Sequence, residues 1–129
     1  MKTLTVIVEF AGDNLSAYIE GVPIVVVGDN LDEIKTNMIE AIDFYLESEV
    51  APVKKLQGAY DLNFQFDTES LLNYYTRIFS YVSLQYLTGI NQKQLCHYAS
   101  GLSKPREQQK RKLETALHNL GHELLSVRL

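Results

Sequence analysis

The sequence predicts an α+β protein, because its two halves follow different periodicities. In the first half, short segments alternate apolar and polar residues, as strands with one buried face do, and one longer segment has apolar residues at helical spacing. The second half has helical spacing, and a glycine separates two short amphipathic segments within it. These observations predict a ββ-β-α-β domain at residues 1–66 and an all-α domain at residues 67–129.

Three strands are predicted before the first helix. Apolar side chains alternate from Thr3 to Phe10. A short strand is predicted from Leu15 to Glu20, and a run rich in β-branched residues extends from Pro23 to Val27. Turn-forming residues separate these runs, Ala11-Gly12-Asp13-Asn14 after the first and Gly21-Val22-Pro23 after the second. The three strands are therefore expected to form a meander.

A helix and a fourth strand complete the first half. The helix is predicted from Leu31 to about Ser48, with Asn30 as its N-cap and Glu33 at the reciprocal position of a capping box. After a connector from Glu49 to Tyr60, apolar residues alternate again from Asp61 to Phe66. This segment is expected to return to the same sheet, because an isolated strand is not stable.

Two short helices joined by a tight turn are predicted between Ser80 and Gly101. Gly89 suits the turn, because a residue without Cβ readily adopts a positive φ. Asn91 is expected to cap the second helix, with Leu95 and Tyr98 pointing inward. Four polar side chains of that helix are expected to face outward: Gln92, Lys93, Gln94 and His97.

The core of the second half is expected to contain Val82, Leu84 and Leu87 of the first short helix. Five nearby aromatic side chains are assigned to this core rather than to stacking on nucleic-acid bases: Tyr74, Tyr75, Phe79, Tyr81 and Tyr86. Cys96 is expected to be a half-buried filler. As the single cysteine, it excludes an internal disulfide and a multi-cysteine zinc site, and it fits a reducing cytoplasm.

Charge is distributed unevenly along the chain. Residues 80–129 contain seven Lys or Arg and three Glu, which gives them a net charge of +4. Because the whole chain has a formal net charge of −4, residues 1–79 have a net charge of −8. Basic side chains near the polar outer side of the second short helix are suited to neutralising phosphates. The acidic half would repel DNA and suits a basic protein partner, although acidic surfaces on small domains are also common as solvating faces.

The segment from Ser80 to Gly101 resembles the helix-turn-helix of Cro and phage repressors. The places of the opening Ser, packing Leu, turn Gly, following apolar residue and polar cap are held by Ser80, Leu84, Gly89, Ile90 and Asn91. It departs from that pattern at Tyr81 and Gln85, where the family usually has Gln and a small Ala. An ordinary helical hairpin is the alternative interpretation.

This resemblance implies binding to double-stranded operator DNA. The residues implied to contact DNA are Gln92, Lys93, Gln94 and His97 on the recognition helix, and Lys104 and Arg106 beyond its exit glycine. Proteins of this type usually bind as dimers, so a homodimer or a higher even oligomer is expected. Its contacts are predicted from Leu113 onward, through Leu117, Leu120, Leu124, Leu125 and Val127.

The order of elements in the first half, with Gly28-Asp29-Asn30 leading into an acidic-started helix, resembles the HicB antitoxins of toxin-antitoxin systems. In that family a partly degraded RNase H-like domain precedes a DNA-binding domain. The resemblance implies an antitoxin that binds and neutralises a HicA-type mRNA-cleaving toxin and represses its own operon. It departs at Glu20-Gly21-Val22-Pro23-Ile24, where many HicB domains have Asp-Leu-Pro-Gly-Cys. A stand-alone helix-turn-helix regulator without a toxin partner is the alternative.

No enzymatic activity, metal or cofactor is expected. The nearest candidates for a magnesium site, Glu9, Asp13, Asp43 and Glu47, form no recognisable acidic signature. His118 and His122 lie one helical turn apart but lack a third ligand. No apolar run approaches the roughly 20 residues of a membrane-spanning helix, so a cytoplasmic protein without a membrane partner is expected.

Overall fold

The computed structural model describes residues 1–48 and 51–129, and in this range the protein is α+β. Its elements in chain order are β1 (Lys2–Phe10), β2 (Leu15–Tyr18), β3 (Val25–Gly28), α1 (Leu31–Ser48), β4 (Tyr60–Phe66), α2 (Thr68–Tyr75), α3 (Tyr81–Thr88), α4 (Gln92–Ser100) and α5 (Glu107–Leu125). The predicted connector after α1 contains a short 3-10 helix at Lys54–Leu56, and its first two residues, Glu49 and Val50, lie outside the described residues. The α+β class predicted from the two periodicities is confirmed.

The four strands form one mixed sheet in the order β3-β2-β1-β4. β1 pairs antiparallel with β2, and β2 with β3, as expected for a meander joined by short turns. β4 pairs with β1 in parallel, with Val6 opposite Phe64, because the chain crosses over between β3 and β4. The predicted return of the fourth strand to the sheet is confirmed.

The second and third strands are shorter at the turn between them than the sequence predicts. The amide of Val22 donates to the carbonyl of Ile19 at 3.0 Å, and the amide of Ile24 donates to that of Val22 at 2.8 Å. These turn bonds end β2 at Tyr18 and delay β3 to Val25. Pro23 has no amide hydrogen to offer a ladder, so it belongs to the turn.

Helix α1 covers one face of the sheet. Its side chains Ile34, Met38 and Ile42 are buried, as are the side chains of Val6 and Val8 on β1. The predicted cap is confirmed, because Asn30 Oδ1 accepts the Glu33 amide at 2.9 Å. The reciprocal bond joins side chain to side chain, from Asn30 Nδ2 to Glu33 Oε2 at 3.1 Å. The Asn37 amide group also donates to the carbonyl of Val27 at 2.8 Å, which ties α1 to β3.

The chain divides into two compact units, Met1–Leu71 and Leu72–Leu129. The boundary predicted at 66/67 precedes α2, whereas this division passes through α2. The first turn of α2 is held in the first unit, because the Asp67 amide donates to the carbonyl of Val8 at 3.0 Å. Asp67 Oδ2 also accepts the amide of Ser70 at 3.2 Å, as a helix cap does.

The second unit has a small helical core. Its buried residues are Leu72, Tyr74, Leu84, Ile90, Leu95, Tyr98, Ala99 and Leu113. Leu84 is buried as predicted, but Val82 and Tyr86 are 63% and 88% exposed, so their assignment to the core was wrong. Each is two residues from Leu84, about 200° around the helix, so this two-turn helix cannot bury all three on one face. The prediction for Cys96 was also wrong, because this residue is exposed.

Candidate nucleic-acid interface

The turn between α3 and α4 is held by local hydrogen bonds. Ser80 Oγ accepts the amide of Ser83 at 3.0 Å and caps α3. At the other end, Gly89 has a φ of 76° and donates its amide to the carbonyl of Gln85 at 2.8 Å. The Thr88 hydroxyl donates to the carbonyl of Leu84 at 2.7 Å and accepts the amide of Ile90 at 3.0 Å. The predicted roles of Ser80 as a helix opener and of Gly89 in the turn are confirmed.

The start of α4 is capped twice. Asn91 Oδ1 accepts the amide of Lys93 at 2.8 Å, as predicted. Gln85 Oε1, from α3, accepts the amide of Gln92 at 2.7 Å. Gln85 is one of the two departures from the repressor pattern, and its longer side chain here joins the two helices. Because these amides already have partners, polar contacts to a ligand at this end depend on side chains.

The exposed side of α4 faces away from Leu95, Tyr98 and Ala99, which are buried. Gln92 and Lys93 are exposed, and His97 is half-buried one turn beyond Lys93. Sequence reasoning missed two residues on this side, the exposed Cys96 and Ser100. The signal was available, because positions 96, 97 and 100 follow Lys93 at the i+3, i+4 and i+7 spacing of one helix face.

Gln94 does not share this exposed side. Its side chain is half-buried, and Nε2 donates to Ser103 Oγ at 3.0 Å. The amide of Ser103 in turn donates to the carbonyl of His97 at 3.3 Å. Gln94 therefore fixes the segment after α4, and Asn73 of α2 fixes the same end by donating to the carbonyl of Ala99 at 2.8 Å.

Lys104 and Arg106 lie on the short segment that joins α4 to α5, and both are exposed. Arg106 is the N-cap residue of α5, whose first turns also carry Lys110, Arg111 and Lys112. An exposed ion pair joins Lys110 to Glu107 at 3.4 Å. Such a pair contributes little to stability, so most of the positive charge stays available for an anionic ligand.

Tyr81 and Cys96 connect the start of α3 to the middle of α4. Partial burial raises the pKa of the Tyr81 hydroxyl above its ordinary value, and the electrostatic interaction and hydrogen bond with the Cys96 side chain raise it further. Tyr81 therefore stays protonated at neutral pH and is a neutral hydrogen-bonding group beside the exposed side of α4.

Helix α1 carries the second surface of interest, on the side that faces away from the sheet. Phe44 is 73% exposed there. Glu40, Asp43 and Glu47 surround it at helical spacing and make no ion pair with any residue that the structure describes. We call these four residues the acidic α1 face.

The carboxylates that sequence analysis considered for metal binding are not brought together. Glu9 alternates with the buried Val8 and thus points to the sheet face opposite α1, whereas Asp43 and Glu47 point away from the sheet. In residues 1–48 and 51–129 no group of three or more His, Cys, Asp or Glu side chains could hold a metal ion. His118 and His122 are both exposed on α5.

Comparisons of the chain with protein-family profiles, curated proteins and solved structures gave no match. Among the described residues, no helix has both the length and the hydrophobicity that crossing a bilayer requires.

Proposed function

We propose that this protein is a cytoplasmic antitoxin with two binding activities. Its second unit binds operator DNA through a helix-turn-helix. Its first unit, which is RNase H-like and HicB-like, neutralises a HicA-type mRNA-cleaving toxin. The protein acts as a homodimer or a higher even oligomer and represses its own operon. The observation that carries this proposal is the doubly capped start of α4, which leaves the side chains of Gln92 and Lys93 exposed. The cationic segment of Lys104 and Arg106, which follows α4, is exposed as well.

In this mechanism α4 enters the major groove with its N-terminus first. Gln92 can bond bidentately to adenine and Lys93 can bond to guanine, and His97 lies one turn further along. Lys104 and Arg106 contact phosphates, which positions the protein without reading sequence. Gln94 belongs to the proposed interface only through its bond to Ser103, since that bond supports the cationic segment.

The acidic α1 face supports the toxin-binding half of the proposal. Carboxylates without ion-pair partners are suited to steering a basic protein toward the surface, and this attraction is screened by salt. An exposed aromatic ring at their centre is the kind of residue that supplies most of the binding energy at a protein interface. Steering and anchoring together favour a basic protein partner.

DNA binding is tested with the full-length protein and the DNA immediately upstream of its own reading frame. We expect tighter binding to this duplex than to a scrambled duplex of equal length, measured by fluorescence anisotropy at several salt concentrations. The Lys93→Ala variant is expected to reduce this preference by about 1–3 kcal/mol while keeping its helical content. Equal affinity of the folded wild-type protein for both duplexes would refute the proposal.

The alternative function, a regulator without a toxin partner, is favoured by the turn between β2 and β3. This turn lacks the usual HicB residues, and Lys55 donates a hydrogen bond to the carbonyl of Glu20 and thus occupies the turn. Co-expression with a HicA-type toxin separates the two functions. Rescue of growth by the wild-type chain supports the antitoxin, and operator binding without rescue supports the alternative.

A further inference from the structure

The two edges of the sheet differ in how they are protected. At one edge, β3 has four residues and lies just after Pro23, and its Val27 carbonyl accepts a hydrogen bond from Asn37 of α1 at 2.8 Å. At the other edge, β4 has seven residues, contains neither Lys nor Pro, and pairs with β1 from Tyr60 to Phe66 without a bulge. Natural edge strands are usually short, charged, interrupted or covered, because they otherwise pair with another strand. The edge formed by β4 is therefore open to such pairing.

The outer edge of β4 offers backbone groups without partners. In a strand with one neighbour, alternate residues point their amide and carbonyl groups away from that neighbour. Within residues 1–48 and 51–129, no backbone hydrogen bond other than those of the ladder with β1 involves residues 60–65. Of the elements that the structure describes, β1 alone packs closely along β4, because α1 lies over β2 and β3. An added strand would satisfy these outward groups.

The side chains of β4 differ between its two faces. Leu62 and Phe64 are half-buried, whereas their neighbours on β1, Leu4 and Val6, are buried. On the opposite face three polar side chains are exposed, Asp61, Asn63 and Gln65. A strand that pairs at this edge must therefore be apolar on one face and polar on the other.

β4 itself has the side chains that such a strand needs. If two β4 strands pair antiparallel on a two-fold axis at Asn63, residues equally far before and after it lie opposite each other. Leu62 of one copy then faces Phe64 of the other, and Asp61 faces Gln65. The pairing joins apolar to apolar side chains and a carboxylate to an amide, and it places no like charges opposite each other. All of these residues lie within β4, so the pairing needs no extension of the strand.

We propose that β4 pairs antiparallel with β4 of a second copy of this chain, with Asn63 on the two-fold axis, so that two four-stranded sheets form one continuous sheet. The occupant is a second copy because the free edge requires an extended strand and because β4 matches itself in apolar and polar positions under one two-fold operation. The pairing lies in the first unit and is separate from the contacts expected at α5. It does not depend on the proposed binding of DNA or of a toxin. Together, the two contacts would produce an oligomer larger than a dimer.

Disulfide cross-linking tests the position of the axis in full-length protein. Opposite residues of an antiparallel pair have Cα atoms about 4.5–5.5 Å apart, which a disulfide can span. Asn63→Cys, in a Cys96→Ser background that removes the exposed native thiol, is expected to form a covalent dimer with oxidised glutathione. Gln65→Cys in the same background is the matched control, because its two copies lie about 13 Å apart along the strands and should not cross-link. Absence of the Asn63→Cys cross-link in folded protein, or equal cross-linking of both variants, would overturn the proposal.

Charge substitutions test the pairing without added cysteine. Asn63→Lys places two like charges opposite each other and is expected to raise the dissociation constant about fivefold in sedimentation experiments. Gln65→Lys is expected to tighten the association, because the new ammonium group faces Asp61 of the second copy, and Gln65→Glu is expected to weaken it. Val25→Lys, exposed on the opposite edge strand β3, is the matched control and should leave the association unchanged. Circular dichroism establishes folding for every variant.

Three results would contradict the pairing of two β4 strands. The first is self-association that Asn63→Lys leaves unchanged, and the second is self-association that Gln65→Lys weakens. The third is loss of toxin neutralisation in Asn63→Lys with self-association intact, which would assign the edge to a strand of the toxin instead. Operator binding by the wild-type chain is measured in parallel, so failure of the β4 pairing remains distinct from failure of the proposed DNA-binding function.

Discussion

The two long helices, α1 with 18 residues and α5 with 19, carry similar apolar stripes but bury them differently. Along α1 the stripe of Ile34, Met38 and Ile42 is buried from end to end against the sheet. Along α5 burial is complete at Leu113 and decreases toward Leu124. Helical periodicity therefore identifies which side of a helix is apolar, but the surrounding elements determine whether anything within the chain covers it.

The largest effect is expected where the stripe is covered. Met38→Ala should lower the free energy of unfolding by about 2–5 kcal/mol, because it removes a fully buried side chain and leaves a cavity. Leu124→Ala should change the unfolding of the monomer by no more than about 0.5 kcal/mol, because this side chain is exposed. Urea unfolding at low protein concentration measures both. Equal losses would show that the end of α5 is packed within its own chain.

The outer sides of the two helices differ in charge, which gives a second prediction. Phe44→Ser, on the acidic α1 face, should weaken binding of the proposed toxin by about 2 kcal/mol or more if the ring is an interface anchor. It should leave operator affinity unchanged. Val25→Ser provides the matched control, since Val25 is exposed in the same unit but lies on β3. Calorimetric titration with the toxin measures the effect, and an equal loss in both variants would contradict a specific α1 surface.

Substitutions in the cationic segment of Lys104 and Arg106 and at the start of α4 should affect DNA binding in different ways. Gln92→Ala and Lys93→Ala should each cost about 1–3 kcal/mol and relax selectivity at one operator position. Lys104→Ala and Arg106→Ala should weaken all duplexes alike and reduce the salt slope by about 0.9 each. Anisotropy titrations with specific and scrambled duplexes at several salt concentrations separate the two classes. Uniform losses for Gln92 and Lys93 would show that α4 does not read bases.

The starts of α4 and α5 provide a smaller contrast. Asn91 caps α4 through its side chain, so Asn91→Ala should lower the free energy of unfolding by about 0.5–2 kcal/mol. Arg106 holds the same position in α5 without a capping bond from its side chain to any described residue. Arg106→Ala should therefore change stability by less than about 0.5 kcal/mol. Thermal unfolding of the two variants checks the difference, and a larger loss for Arg106 would reverse the assignment.

Local features of the fold could be predicted from the sequence. The bounds of α1 follow from its cap and apolar spacing, and the roles of Gly89 and Asn91 follow from backbone conformation and capping chemistry. Contacts between separate elements could not be predicted. The bond from Gln85 to the start of α4 and the bond from Gln94 to Ser103 depend on how the helices are placed. The predictions for Val82 and Tyr86 failed for a different reason, because each residue lies about 200° around the helix from the buried Leu84 and therefore off its buried face.

The smallest expected effect is at high pH and concerns Tyr81. Partial burial, followed by the interaction with Cys96, raises the pKa of Tyr81 in the folded state, so the folded protein holds this proton more tightly than the unfolded chain. The resulting stabilisation is complete below the ordinary tyrosine pKa of about 10 and is lost as the pH rises above it. The difference in unfolding free energy between wild type and Tyr81→Phe should therefore fall between about pH 8 and about pH 11. Cys96→Ala, which removes the contributions of the thiol, should make this decrease smaller. A difference that stays constant, or that grows with pH, would contradict the proposed contact between the start of α3 and α4.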